Sequence, residues 1–119
     1  MPNPFGAPEI SVNEMAQRCA TDDTFVWLDV REPNEHALVS IADTRIHLLP
    51  LSRLAAERLD ALPDVARAQD APIVVMCHHG VRSAQVVAWL QQQGWTNVLN
   101  LAGGIDAWAR EVDASIGVY

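Results

Sequence analysis

The fold is decided by the stretch Ile73-Val74-Val75-Met76-Cys77-His78-His79-Gly80-Val81-Arg82-Ser83. Its first four residues are apolar and rich in β-branched types, which predicts a buried strand. A short polar segment with a glycine follows, and a helical pattern then runs over residues 83–93. A cysteine at the end of a buried strand and just before a helix lies where open α/β folds bind their ligands. Because a helix N-terminus favours negative charge, we expect Cys77 to act as a nucleophile.

Further short apolar strands alternate with helical patterns on both sides of this stretch. The predicted strands are Glu9–Ile10, 25–28, 46–49, Ile73–Met76 and Val98–Leu101. This alternation predicts an α/β fold, a three-layer sandwich with a mostly parallel central sheet and helices on both faces. We expect residues 1–8 to form a proline-rich lead-in and residues 9–119 to form one domain.

The charge and cysteine content exclude several classes of protein. The 119 residues carry a formal net charge of −7, and all eight basic residues are arginines. This acidic balance disfavours nucleic acid and anionic membranes as partners. No apolar run approaches the length of a membrane span, and the first residues lack the pattern of a secretory signal. Cys19 and Cys77 form no disulfide framework, so we expect a cytoplasmic protein.

The segment from Cys77 to Ser83 has the residues that an anion-binding loop needs. Its successive N–H groups, curled round the sulfur, would form a nest for negative charge. Gly80 permits a backbone conformation that other residues resist, and Arg82 offers a planar, permanently charged fork to an oxyanion. We expect Ser83 to cap the following helix. The combination suits nucleophilic attack on sulfur or phosphorus.

Three stretches together make the chain resemble the rhodanese family of sulfurtransferases. They are the loop from Cys77 to Ser83, the segment Leu28-Asp29-Val30-Arg31-Glu32-Pro33, and the segment Leu101-Ala102-Gly103-Gly104-Ile105-Asp106-Ala107-Trp108. The resemblance implies a single-domain α/β fold in which Cys77 takes up a sulfane sulfur as a persulfide. The sulfur would pass to cyanide or to a thiol. The substrate would be bound by the rest of the loop: His78, His79, Gly80, Val81, Arg82 and Ser83.

Loop length separates two chemistries that share this arrangement. Four residues lie between Cys77 and Arg82, whereas related phosphatases have five and so enclose a phosphoryl group. The shorter loop favours sulfur transfer over phosphatase or arsenate reductase chemistry. Residues 36–44 lack the histidine and glycines usual in the family. A sulfur-relay or docking module with little activity on free thiosulfate is therefore the alternative prediction.

Several other residues have both a functional and a structural interpretation. Asp29 and Arg31 either steady the loop and bind substrate or form a buried pair that holds a turn. We expect no metal, because adjacent histidines such as His78 and His79 should point in different directions and no further ligands have zinc spacing. Cys19 lies on the apolar stripe of a helix and should be an inert buried residue.

The leading hypothesis is thus a cytoplasmic sulfurtransferase that needs no cofactor. Its partners would be a small sulfur donor, either thiosulfate or a persulfide, and a thiol or cyanide acceptor. A sulfur-carrier protein is the alternative partner.

Overall fold

The computed structural model describes residues 3–21 and 24–119. Within them, five strands form one sheet in the order β1-β5-β4-β2-β3, and each neighbouring pair is parallel. The strands are β1 (Glu9–Ile10), β2 (Val26–Asp29), β3 (Ile46–Leu48), β4 (Ile73–Met76) and β5 (Val98–Leu101). The α-helices are α1 (Val12–Thr21), α2 (Pro33–Leu38), α3 (Leu51–Glu57), α4 (Val81–Gln92) and α5 (Gly104–Glu111). Short 3-10 helices cover Arg58–Ala61, Asp64–Ala66 and Ala114–Ile116.

The two faces of the sheet are buried by different helices. Side chains alternate along each strand, so Val75 and Cys77 pack with Leu54 and Val87 of α3 and α4. On the other face, Met76 and its neighbours pack with the apolar residues of α1 and α5, namely Met15, Ile105 and Trp108. Strands covered on both faces contain unbroken apolar runs, as in Val26–Leu28 of β2 and in the whole of β4. The predicted three-layer α/β sandwich is confirmed.

The observed bounds correct the sequence prediction in several places. Helix α4 begins at Val81, two residues before the predicted start, and α3 ends at Glu57. The chain tightens into the 3-10 helix Arg58–Ala61 after α3, and Arg58 has a positive φ of 56° that an α-helix cannot contain. Only residues 3–8 of the predicted lead-in are described. Among these, Ala7 is buried in the core and the Pro8 carbonyl accepts from Asn100 N on β5.

Cys19 is half-buried rather than fully buried, and it packs against the core cluster from the last turn of α1. Within residues 3–21 and 24–119, none of the helices has the length and apolar character that crossing a bilayer requires.

Candidate functional site

Cys77 lies at the carboxyl end of the central strand β4, with its sulfur inside the loop that leads into α4. The residue is 1% exposed. Its Sγ accepts the backbone N–H of Gly80 at 3.1 Å and that of Ser83 at 3.4 Å. Gly80 is the N-cap of α4 with φ 93°, a left-handed conformation that costs glycine little. The loop therefore turns directly into the helix and aims N–H groups at the sulfur, as the sequence predicted.

The prediction that Ser83 caps α4 is wrong, because Gly80 already occupies the cap position. Ser83 lies in the first turn of the helix and is fully buried. Its hydroxyl is 3.3 Å from Cys77 Sγ and 2.5 Å from Asn100 Oδ1. The residue thus belongs to the wall around the sulfur rather than to the helix terminus.

Helix α5 fixes the orientation of the loop from the other side. The backbone N–H groups of Ile105 and Asp106 donate to the carbonyls of Cys77 (2.9 Å) and His78 (3.0 Å). With these carbonyls turned towards α5, the loop is free to direct other N–H groups at the sulfur. A Cβ on Gly104 would lie 2.4 Å from the Cys77 carbonyl oxygen and 2.5 Å from that of His78. Glycine is required there because the helix start and the loop backbone nearly touch.

Asn100 of β5 connects the loop to the edge of the sheet, and the sequence analysis did not identify it. Its amide nitrogen donates one hydrogen bond to Glu9 Oε2 at 2.7 Å and another to the Gly80 carbonyl at 3.0 Å. The amide oxygen consequently faces Ser83. The single Ser83 proton can be donated to Asn100 or to sulfur, so the hydroxyl can serve either a neutral thiol or an anionic sulfur. The signal that could have revealed Asn100 was a polar residue within an otherwise apolar strand.

Arg82 forms a bidentate ion pair with Glu35 of α2, at 2.6 and 2.8 Å. The hydroxyl of Tyr119 also donates to Glu35, at 2.8 Å. The hydrogen bonds from Arg82 are the main cause that lowers the pKa of Glu35 to about 2, and the same contact raises the pKa of Arg82. Neither Glu35 nor Tyr119 was identified from the sequence, since nothing local in the sequence marks a contact between distant segments.

Asp29 and Arg31 form the buried pair that was one of their two predicted interpretations. The guanidinium donates to both carboxylate oxygens of Asp29: Nε lies 3.0 Å from Oδ1, and Nη2 lies 2.8 Å from Oδ2. Arg31 Nη1 also donates to the Glu35 carbonyl and to the Tyr119 hydroxyl, each at 3.2 Å. Through Tyr119 and Glu35 this pair is linked to Arg82, so it supports the surroundings of the loop.

His78 and His79 stack on each other, contrary to the prediction that they point in different directions. Their ring centroids are 3.8 Å apart, and the Tyr119 ring stacks on His78 at the same distance. His78 is therefore packed between the rings of His79 and Tyr119. Burial lowers the pKa of His78. Ligand atoms of both histidines and of Asp106 lie within 4.8 Å of one another and could hold a metal ion. Such an ion would compete with Arg110, which donates to Asp106 at 2.9 Å.

The remaining loop residue, Val81, is 54% exposed and faces solvent. The loop thus presents His79 and Val81 outwards, while Cys77 and Ser83 lie inside. Burial is the main cause that raises the pKa of the other cysteine, Cys19, which disfavours a second reactive thiolate.

Comparison with known proteins identifies relatives with the same architecture. The family model described as "Rhodanese-like domain" matches residues 11–111. A curated "Sulfurtransferase" of Allochromatium vinosum is 38% identical over 105 residues, which cover 86% of this chain and 88% of that protein. "Adenylyltransferase and sulfurtransferase MOCS3-1" of Zea mays is 31% identical over 112 residues, which cover 92% of this chain but 23% of that longer protein. The chain therefore corresponds to nearly all of the first relative and to about a quarter of the second.

Solved structures show the same fold. A rhodanese-related protein from Thermoplasma volcanium superposes with a TM-score of 0.70 at 32% identity, covering 88% of this chain and 93% of that one. The "Human Single Domain Sulfurtranferase TSTD1" superposes with a TM-score of 0.71, covering 89% of this chain and 98% of that one. At 24% identity, this second likeness shows the fold alone.

Proposed function

This chain belongs to the family of rhodanese-like domains, and we propose that it transfers a sulfane sulfur through a persulfide on Cys77. The donor is thiosulfate or a persulfide, and the acceptor is cyanide or another thiol. The observation that carries the proposal is the environment of Cys77 Sγ, which receives two backbone N–H groups and lies beside the Ser83 hydroxyl. Such a ring of donors stabilises a negatively charged sulfur.

The loading step is a displacement at sulfur. The Cys77 thiolate attacks the outer sulfur of the donor, and the bond between the two donor sulfurs breaks. Thiosulfate then leaves as sulfite, whereas a persulfide R–S–SH leaves as the thiolate R–S⁻ and its proton remains on the new persulfide. The electron pair of the broken S–S bond departs with the leaving group in both cases. The two N–H groups and the Ser83 hydroxyl stabilise the sulfur anion on the enzyme.

The unloading step restores the free cysteine. Cyanide attacks the outer sulfur and leaves as thiocyanate, or an acceptor thiolate takes the sulfur to become a persulfide itself. The Cys77 thiolate is the leaving group, and the same N–H donors stabilise it again. Both half-reactions balance without an external oxidant, reductant or cofactor.

Intact-mass measurement after exposure to a sulfur donor tests the proposal. Incubation with thiosulfate or with cysteine persulfide should add the mass of one sulfur atom, and cyanide should remove it. Cys77→Ser should abolish this gain, whereas the matched control Cys19→Ser should retain it. The proposal fails if neither donor adds sulfur, or if Cys77→Ser gains as much as the unchanged protein.

A sulfur-relay module is the second candidate, and the burial of Cys77 favours it. Only 1% of the residue is exposed, and Tyr119 lies on the neighbouring His78. A relay would accept sulfur from a partner such as a sulfur-carrier protein and react slowly with thiosulfate. Rapid turnover of free thiosulfate and cyanide without any partner would argue against it.

Phosphatase or arsenate reductase chemistry receives less support. It requires an arginine that closes an oxyanion cage, whereas the Arg82 guanidinium is bound to Glu35. The proposed setting remains the cytoplasm, with neither nucleic acid nor a membrane as partner, on the basis of the formal charge of −7 and the unpaired cysteines.

A further inference from the structure

The charge of Arg82 is neutralised by a carboxylate that the sequence analysis did not connect with it. Both terminal nitrogens of the guanidinium donate to the two Glu35 oxygens, at 2.6 and 2.8 Å. Tyr119 donates to the same carboxylate and Glu32 N donates to Oε1, so Glu35 is held from three sides. Arg82 belongs to the same loop as Cys77 and directly precedes Ser83, whose N–H and hydroxyl both contact Cys77 Sγ. Glu35 therefore cancels a positive charge that would otherwise act on an anion at the sulfur.

The other arginine beside the site is neutralised in the same way. Arg31 is fully buried and shares both carboxylate oxygens of Asp29. Two further carboxylates approach the loop: Glu9, through Asn100, and Asp106 in the first turn of α5, which is itself paired with Arg110. A dianion that reaches the loop thus meets ion pairs and carboxylates rather than an uncompensated guanidinium.

We infer that Glu35 determines donor specificity, because by neutralising Arg82 it disfavours thiosulfate relative to a thiol persulfide. The inference rests on the proposed sulfur transfer through Cys77 and deepens it by naming the donor class. Thiosulfate brings two negative charges and releases sulfite with two, so its reaction gains most from an adjacent cation. A persulfide releases a thiolate with one charge and depends less on that cation. The backbone N–H groups at the sulfur serve both donors equally.

The decisive measurement is the ratio of kcat/KM for thiosulfate to kcat/KM for cysteine persulfide. Glu35→Gln removes the negative charge and keeps an amide oxygen for the N–H of Glu32. We expect the ratio to rise about tenfold, which is the order of effect that one nearby unit charge has on a dianion in a largely aqueous dielectric. Glu57→Gln is the matched control, because it removes a carboxylate paired with Arg53 on α3, outside the loop. Its ratio should remain that of the unchanged protein.

Variants of Arg82 test whether the charge of this arginine is the one that Glu35 cancels. If it is, Glu35→Gln should raise the ratio, Arg82→Gln should lower it, and the variant with both substitutions, in which the pair is again neutral, should return the ratio to that of the unchanged protein. No gain with Glu35→Gln, or a ratio that Arg82→Gln leaves unchanged, overturns the inference.

The unchanged protein provides a test that does not depend on a variant folding. With Arg82 neutralised, the formal net charge of −7 should repel a dianion more than a persulfide, so added salt should screen this repulsion and raise the thiosulfate-to-persulfide ratio. A ratio that falls with salt would show that an uncompensated cation binds thiosulfate and would overturn the inference. If neither donor places sulfur on Cys77, the proposed function itself fails. A protein loaded equally well by both donors refutes the specificity alone.

Discussion

Replacing Gly104 with alanine would add a methyl group at the tightest backbone contact of the site. The new Cβ would lie 2.4 Å from the Cys77 carbonyl oxygen and 2.5 Å from that of His78, distances that real Cβ atoms do not occupy. Either α5 or the loop must move, and the hydrogen bonds from Ile105 N and Asp106 N to those carbonyls would lengthen. The substitution therefore tests whether α5 orients the loop.

The expected loss of stability combines two contributions. Gly104 has φ +62°, and placing a side chain in the left-handed region costs about 1–2 kcal/mol. Each weakened backbone hydrogen bond adds about 1 kcal/mol. We expect Gly104→Ala to lower the free energy of unfolding by roughly 3–4 kcal/mol in urea titrations followed by circular dichroism. Sulfur loading of Cys77, measured by mass, should also slow because the N–H groups no longer point at the sulfur.

Gly6→Ala is the matched control for the backbone contribution. Gly6 has φ +67°, and a Cβ there would meet no atom within 4 Å. The free energy of unfolding of this variant should fall by only about 1–2 kcal/mol, the cost of a side chain in the left-handed region. Its rate of sulfur loading should not change. If the two variants lose equal stability, or if Gly104→Ala loads sulfur at the normal rate, the argument that α5 orients the loop is refuted.

Three further predictions concern the polar contacts around the loop. Because pairing with Arg82 holds the pKa of Glu35 at about 2 against an ordinary 4.5, the folded state binds fewer protons than the unfolded one between these values. Above pH 4.5 the pair should therefore add about 1–2 kcal/mol to the free energy of unfolding, a figure reduced for solvent screening. This contribution should disappear as the pH falls towards 2. Urea titrations of Glu35→Gln and of the unchanged protein should therefore converge at that pH. Ser83→Ala should slow sulfur loading of Cys77 several-fold, because a donor 3.3 Å from Sγ is lost. The rate is measured by intact mass on samples quenched at successive times. An unchanged rate would show that the hydroxyl plays no part. Asn100→Ala should destabilise the fold by about 3 kcal/mol in urea, since its buried partners lose their hydrogen bonds, and a loss below about 1 kcal/mol would contradict that account.

The sequence was sufficient for the strands and for the position of the Cys77–Ser83 loop because both depend on local patterns. Ile73–Met76 is apolar throughout since both of its faces are buried, and that composition is visible without any structure. The glycine at position 80 likewise predicts the turn that follows the strand. The start of α4 was predicted wrongly because two residues could each have capped the helix. Ser83 is a good capping residue, yet Gly80 took the cap because only it adopts φ 93° readily.

The partners of the loop could not be predicted, because they come from segments distant in the chain. Glu35 and Tyr119 meet Arg82 and His78 only after α2 and the C-terminal segment pack beside the loop. Neither residue carries a pattern that distinguishes it from an ordinary surface side chain.

The sequence by itself determined a mostly parallel α/β sandwich with Cys77 at the end of a buried strand, since apolar periodicity and loop composition are local properties. Tertiary structure alone decided what surrounds that cysteine. It turned Ser83 inward to the sulfur, bound it to Asn100, and paired Arg82 with Glu35. The physical reason is that hydrogen bonds and ion pairs depend on distances across space. Residues 47 positions apart in the chain can lie 2.6 Å from each other once the sheet has formed.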